Sequence, residues 1–518
     1  MYRVSAAISG GYARNRGRRR LIAVLVQGCL LLTSLAVGRA VVETQTIQAS
    51  ASELALAAVA VAAGLTVMLS GPVACLAAIA VLTVLRPLPE VSVGGGVDLF
   101  PADAFYGALV CWWVIRSGTL GRQSADAGAG SPLRGGPVLL FLGYVGLTLL
   151  YVGAIDPGRL SVSFVSWLRL LQTASLGWLA VAFVRSRRDV TVVLAALAVA
   201  GAIAVALALA GGAADPDAGP LGTRGGGIVN PNALGLVSGL LVLMGAFGAL
   251  GPSLFYRVPL ALWGAVGLVQ SQSVASLVAT SVALVLGLAF IVAPSRRILA
   301  ARGLRAAMAL GVGVVLAYGL ATVIRPENLP TSQNFRDSSA GQRTVLAAAG
   351  LEIAERHPVI GVGWRRSEQP EVIGDAELNA DLRARFPATR YDYFPDVSPA
   401  SVHNAYIQVA ADLGLIGLGL FLFMLASLGR GISKVLKRVP RAAPERAQLW
   451  FMAWGLVLVV IWKNDNPLYG GQSETVIPAL FVGAIAGLPG TLARHARSSR
   501  GAARAAEPLG GNGPFGPP

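Results

Sequence analysis

The sequence predicts an all-α polytopic membrane protein, with about 12–14 transmembrane helices and one large helical extracytoplasmic loop. Three observations carry this reading. Hydrophobic residues make up 54% of the 518 residues and charged residues only 13%, against about 25% charged in a soluble globular domain. Apolar runs of about 20 residues, long enough to cross a ~30 Å hydrocarbon layer, recur along the chain. Lysine and arginine gather in the short loops and at the termini, as topology requires of cytoplasmic loops.

The chain divides into a basic cytoplasmic tail (1–20), N-terminal transmembrane helices (21–324), an extracytoplasmic loop (325–404), C-terminal transmembrane helices (405–490) and a disordered cytoplasmic tail (491–518). Arg14, Arg16, Arg18, Arg19 and Arg20 precede the run Leu21–Gly38, which reads as an uncleaved first helix with its N-terminus inside. Spans follow at Leu54–Leu69, Pro72–Leu85, Leu99–Ile115, Pro137–Ala154, Ser163–Val184 and Val190–Ala210. Then come Pro231–Leu250, Val258–Gln270, Val274–Val292, Arg305–Ile324, Ala405–Leu428, Leu449–Trp462 and Thr475–Leu488. Alternating these spans places four arginine clusters (around Arg116, Arg187, Arg296 and Arg438) and the C-terminal tail on the cytoplasmic side. One parity satisfies all of them, so the polar loop lies outside and both termini inside the cytoplasmic (inner) membrane.

The formal charge of +16 then reflects topology and anionic lipid, and a nucleic-acid partner is excluded. Cys29, Cys75 and Cys111 lie in or beside apolar runs without metal-ligand spacing, so neither a disulfide framework nor a cysteine metal site is expected.

Chemistry concentrates in the loop. Ser338-Ser339 can cap a helix from about Ala340 to Arg356, with Val345, Leu346, Leu351 and Ile353 as its apolar side and His357-Pro358 as its stop. Arg343 in the first turn opposes the helix dipole but strengthens an anion site there; a solvated pair with Asp337 is the alternative. Gly361 and Gly363 form an apolar turn expected to pack on the membrane surface. Five further arginines interleave with acids as a solvated surface, and Phe386, Tyr391, Tyr393 and Phe394 could stack on sugars or anchor the loop. His403-Asn404 sits at the mouth of the next span, where an imidazole suits proton transfer or a hydrogen bond to phosphate. Asp396 is a second candidate base. Arg169 lies inside an apolar run, where a charge is functional or paired. Arg224 precedes Asn230-Pro231-Asn232, in which Asn230 caps the helix that Pro231 begins. Lys463, Asp465 and Glu474 occupy the last outer loop as a salt-bridged set.

Gln342-Arg343, His357-Pro358-Val359-Ile360-Gly361-Val362-Gly363, His403-Asn404-Ala405-Tyr406 and Asp412-Leu413-Gly414-Leu415-Ile416-Gly417, with the stretch from Arg224 to Asn232, resemble the O-antigen ligase and polymerase family of bacterial membrane glycosyltransferases. The resemblance covers roughly Gly222–Leu425. It implies a metal-independent transfer, with no cofactor, of a glycan from a polyprenyl-diphosphate carrier to a glycan or lipid acceptor hydroxyl on the outer face. It makes Arg343 and His403 catalytic, and Arg224, Asn232, Arg169, Asn404, Gly361 and Gly363 substrate-binding. The chain departs at Ser271-Gln272-Ser273-Val274, where the family often has Ser-Arg-Gly. The rival reading is a flippase or transporter of the same lipid-linked sugar, which calls for charges along the spans and a repeat between halves. Only Arg169 answers to the first requirement, and no convincing repeat is visible.

Overall fold

The computed structural model describes residues 51–85, 91–92, 98–119, 135–212, 230–292, 312–313, 319, 338–398, 400–440, 443, 445–468 and 474–488. The runs expected at Leu21–Gly38 and Arg305–Ile324, like Arg224, fall wholly or almost wholly outside these residues.

Helices dominate. In chain order they are α1 (Ala51–Ser70), α2 (Pro72–Leu85), α3 (Pro101–Thr119), α4 (Gly136–Ile155), α5 (Leu160–Phe183), α6 (Arg187–Gly212), α7 (Pro231–Phe247), α8 (Leu254–Ser271) and α9 (Val274–Val292). The polar segment supplies α10 (Ser339–Arg356), α11 (Pro370–Ile373) and α12 (Ala376–Arg385). It is followed by α13 (Ala405–Arg438), α14 (Glu445–Trp462) and α15 (Glu474–Leu488). A two-residue antiparallel ladder, Val91–Ser92 with Asp98–Leu99, leads into α3. By length and composition α4, Arg187–Ala210, α13 and Glu445–Asp465 can each cross a membrane, and several shorter apolar helices accompany them.

Local signals set the helix ends. Gly71, at φ 88°, separates α1 from α2 ahead of Pro72. Asn230 accepts a hydrogen bond from the Asn232 amide at 2.8 Å and starts α7. Ser338 caps α10 by accepting from the Gly341 amide at 3.3 Å.

The bundle core gathers buried side chains from α2, α6, α7 and α14, among them Leu76, Leu194, Leu234 and Phe451. The polar segment has its own small core of Val345, Leu346, Ile353, Leu378, Leu382, Phe394 and Val402, so it is a folded lobe. Leu351, expected on the apolar side of α10, is exposed, one position out of register with the buried Val345–Ile353 stripe. A third cluster joins lobe to bundle. Trp364, fully buried, packs with Phe141, Val145 and Leu149 of α4 and with Val409 and Leu413 of α13.

The sequence shows no sign of the shape of α13. Gly414 adopts φ 65° and ψ −169° inside it. Tyr406 and Phe421 have ring centroids 5.9 Å apart, whereas a straight helix would hold those positions about 22 Å apart along its axis. The helix therefore folds back at Gly414 into a short arm, 405–413, and a long arm, 415–438. Such a break frees backbone groups that water cannot reach. The loop after α10 takes them up. Val362 and Gly363 amides donate to the Ala411 and Asp412 carbonyls at 3.0 and 2.8 Å, and the Leu415 amide donates to the Pro358 carbonyl at 2.8 Å. An added Cβ at Gly361 would lie 2.5 Å from the Leu413 nitrogen, so Gly361 and Gly363 are where loop backbone meets helix backbone. The buried Asp412 carboxylate accepts from the Ser367 amide at 2.9 Å and ties the far end of the loop.

The lobe meets the connecting turns on one side of the bundle, the lobe side. Arg159, between α4 and α5, pairs there with Glu371 at 3.1 Å, and Arg366 lies 3.7 Å from Asp156. The turn after α14 reaches the lobe on the same side, through Asp465 and Arg343.

Candidate active site

The lobe side brings together three stretches far apart in sequence: the first turn of α10, residues 403–408 and the turn 463–468. Arg343 forms an ion pair with Asp465, and its side chain is only 18% exposed. His403 lies within reach of the electrostatic field of this guanidinium, and its buried Nδ1 has no hydrogen-bond partner. Burial and then the neighbouring Arg343 charge push the His403 pKa down to about 4, so the imidazole is neutral near pH 7. A half-buried imidazole with an idle nitrogen next to a cation can accept a proton or bind an ionisable ligand.

Asn404 builds the frame. Its Oδ1 accepts from the Tyr406 and Ile407 amides at 3.0 and 3.1 Å, capping the short arm of α13. Its Nδ2 donates to the Asn464 carbonyl at 2.8 Å and to Asn464 Oδ1 at 3.1 Å. Both ends of the amide are thus engaged, and they fix His403 against the 463–468 turn. Tyr406 adds a hydroxyl bond to the Val460 carbonyl at 2.7 Å, and Gln408 Oε1 accepts from the Leu468 amide at 2.8 Å.

The turn is itself locked from beneath. Buried Lys463 donates to Glu474 at 2.9 Å and to the Pro467 and Leu468 carbonyls at 2.5 and 3.2 Å. All three ammonium donors are used. Lys463 therefore does not stand in for the arginine absent at Gln272, although Trp462 beside it donates to Ser276 of the α8–α9 corner at 3.0 Å.

The remaining expected residues sit elsewhere. Asp396, the second candidate base, pairs with Arg383, which lies over the Tyr391 and Phe394 rings. Phe394 is core and Tyr391 is exposed. Arg169 pairs with Asp103 at 2.6 Å, and Gln172 bonds to the same carboxylate oxygen at 2.6 Å. Asn232 lies in the first turn of α7, at the lobe-side end where Gly235 meets Ser271 and Ser276. Gly361 and Gly363 face the α13 break and its backbone. Among the described residues no three His, Cys, Asp or Glu side chains come together as a metal cluster.

Sequence reasoning misses two residues of this site. It groups Asp465 with Lys463 and Glu474 as one salt-bridged loop, whereas only the latter two pair with each other. It does not single out Asn464 at all. The available signal is the run Lys463-Asn464-Asp465-Asn466-Pro467, five polar or helix-stopping residues wedged between two spans.

No curated protein matches the chain. Over residues 259–422, from within α8 through the whole lobe and past the break in α13, the chain matches the O-antigen ligase family.

Proposed function

We propose that this O-antigen ligase/polymerase-type membrane enzyme transfers a glycan from a polyprenyl-diphosphate carrier to an acceptor hydroxyl, at the lobe side of the cytoplasmic membrane. The positive loops alternate onto the opposite side, which makes the lobe side the outer one. One observation carries the reading: an idle, neutral, half-buried imidazole within the field of an ion-paired arginine, held by two loops over an apolar bundle.

The acceptor hydroxyl oxygen attacks the anomeric carbon, and the bond from that carbon to the phosphate oxygen breaks. Its electron pair leaves with the polyprenyl diphosphate, and the hydroxyl proton passes to a ring nitrogen of His403. Arg343 binds the diphosphate and stabilises the charge that grows on it; a guanidinium can do this bidentately. Its counter-charge, Asp465, keeps the guanidinium oriented. Diphosphate binding also changes His403. A double negative charge on Arg343 cancels the field that depresses the imidazole, so the base strengthens when donor arrives. With the leaving group already anionic and arginine-bound, transfer is expected to be metal-independent. Arg224 and Asn232 remain proposed donor contacts from the neighbouring span entry.

The test is transfer by His403→Ala and Arg343→Ala in membranes holding normal levels of protein and lipid-linked donor. Each is expected to lose about 10²–10⁴-fold in rate, with EDTA leaving the wild type unchanged. Full activity in both variants would sink the assignment. Donor missing from the outer face would favour the transporter instead.

A further inference from the structure

In the half of the bundle away from the lobe, a cavity of about 470 Å³ opens between α9, α13, α14 and α15. Along α13 it runs from Leu425 to Leu436, about 16 Å. That is the depth of one leaflet of a ~30 Å hydrocarbon layer, not of the whole. Phe290 and Val460 in its wall are 43% and 39% exposed, so it opens sideways to lipid. Trp450 and Trp454, with rings stacked 6.1 Å apart, face it from α14. The buried Nε1–H of Trp454 has no hydrogen-bond partner. Among the described residues that line the cavity none is charged. Charge begins at the rim. Ser433 lines the cavity, and Arg430 and Lys437, three residues before it and four after, hold the adjoining strip of the helix, both exposed. On α14 the Arg446 guanidinium lies over Trp450, 5.9 Å from the ring centroid. From Arg430 to Arg446 the chain has six lysines and arginines against one acid, Glu445.

We infer that this cavity holds one acyl chain of an anionic phospholipid from the leaflet away from the lobe, with its phosphate at Arg430, Lys437 and Arg446. The occupant has to be apolar for the depth of one leaflet and negative at the end remote from Arg343. A glycerophospholipid has that form. Its chain matches the length of the cavity, an ester carbonyl accepts from Trp454 Nε1, and its phosphate meets the rim cations. Each lysine or arginine at a membrane surface strengthens such binding about fivefold. A lipid whose head group lies at Arg343 faces the opposite way and brings no charge to this rim. A helix of a second copy would fill the apolar part and leave the cations unanswered. The site is separate from the Arg343–His403 group and does not rest on the transfer reaction. By filling the gap between α13 and α14, the lipid braces the long arm whose other end folds back at Gly414.

The experiment uses the full chain in phosphatidylcholine nanodiscs doped with phosphatidylglycerol that carries a photoreactive group on one acyl chain. Labelling is expected on the α13 and α14 peptides that line the cavity. Gly429 lines it too, and an added Cβ there meets nothing within 4 Å. Gly429→Trp should therefore fold, fill the space and lose the labelling. Arg430→Gln combined with Lys437→Gln should cut labelling about twenty-fivefold. Arg188→Gln removes an exposed cation that lines no part of the cavity, and should leave labelling unchanged. Phosphatidylcholine with the same photoreactive chain should label the cavity peptides far more weakly. Unlabelled phosphatidylglycerol should compete better than a long-chain isoprenyl diphosphate. Equal labelling by the phosphatidylcholine probe, stronger competition by the isoprenyl diphosphate, or a cross-link joining two chains would overturn the proposal. So would labelling indifferent to Gly429→Trp or to the loss of both rim cations.

Discussion

Two of the paired arginines, Arg169 inside α5 and Arg343 near the start of α10, differ in what is left over. Arg169 lies in a closed set: Asp103 accepts from Arg169 and Gln172 on one oxygen and from the Phe100 amide on the other at 2.8 Å, while the Phe100 ring lies under the guanidinium, 5.3 Å away. Arg343 meets Asp465 beside an imidazole whose Nδ1 has no partner. A charge near lipid must be paired in either case. The difference is that the first cluster satisfies its own members, whereas the second keeps an idle titratable group within the field of its cation. The proposed chemistry is therefore assigned to the unsatisfied cluster.

The strongest way to break this comparison is to move one cluster and leave the other alone. Gly414→Val puts a branched side chain at φ 65°, where the added Cβ would also sit 2.6 Å from the Ile360 nitrogen. A left-handed non-glycine costs about 1–3 kcal/mol before any clash. The expected result is a large drop in folded protein, and loss of transfer in whatever folds, because the arm carrying His403 is displaced. Normal protein level with normal transfer would show that the fold-back does not position His403.

Next comes Asp465→Asn, which keeps shape and removes the counter-charge of Arg343. Misorienting a positioned group by about 1 Å costs about 10²-fold, so a loss of that order in kcat is expected, with protein level unchanged. A wild-type rate would reduce Asp465 to an incidental contact. The Arg343–Asp465 pair would then resemble the Arg169 cluster after all.

A smaller and sharper effect concerns proton affinity. His403 is one of three histidines, so its imidazole resonance can be followed by pH titration. In the free protein it should titrate near 4, held down first by burial and then by Arg343. Arg343→Gln removes only the second cause, so the midpoint should rise but stay below the usual value of about 6.5. Stability shifts with the same proton. Between about pH 6.5 and 4 the unfolded chain takes up a proton at His403 that the folded chain does not, so acidification through that window destabilises the fold. A midpoint unmoved by Arg343→Gln would separate the two side chains electrostatically.

Much of this is legible in the sequence because it is local. Hydropathy reveals the helical membrane class, and caps such as Ser338 and Asn230 mark helix starts within a residue or two. The motif residues Arg343 and His403 are legible as candidate chemistry, and in the fold the Arg343 charge acts on the His403 imidazole. What escapes depends on partners distant along the chain. Asp465 lies 122 residues from Arg343, and nothing in either neighbourhood states that they meet. Gly414 reads as one more small residue in an apolar helix; its positive φ exists only because the 358–363 loop accepts and donates the freed backbone bonds. Asn404 reads as a ligand contact because it is polar and beside His403, yet it also satisfies two helix-start amides.

The smallest expected effect tests the closed cluster. Arg169 and Asp103 side chains are 29% and 13% exposed, so removing either one leaves a partly buried charge without its main partner. Arg169→Ala and Asp103→Ala should each lower stability by about 1–3 kcal/mol, less than the 3–5 typical of a fully buried pair. Replacing both, as Arg169→Met with Asp103→Leu, removes the charges together and should recover most of the loss, giving a non-additive double-mutant cycle. Transfer should stay within about threefold of wild type in all of them below their melting temperatures, because neither residue contacts the Arg343–His403 group. If Arg169→Ala instead abolished transfer at an unchanged melting temperature, the closed cluster would be part of the reaction. Self-satisfaction would then no longer separate a structural arginine from a functional one in this protein.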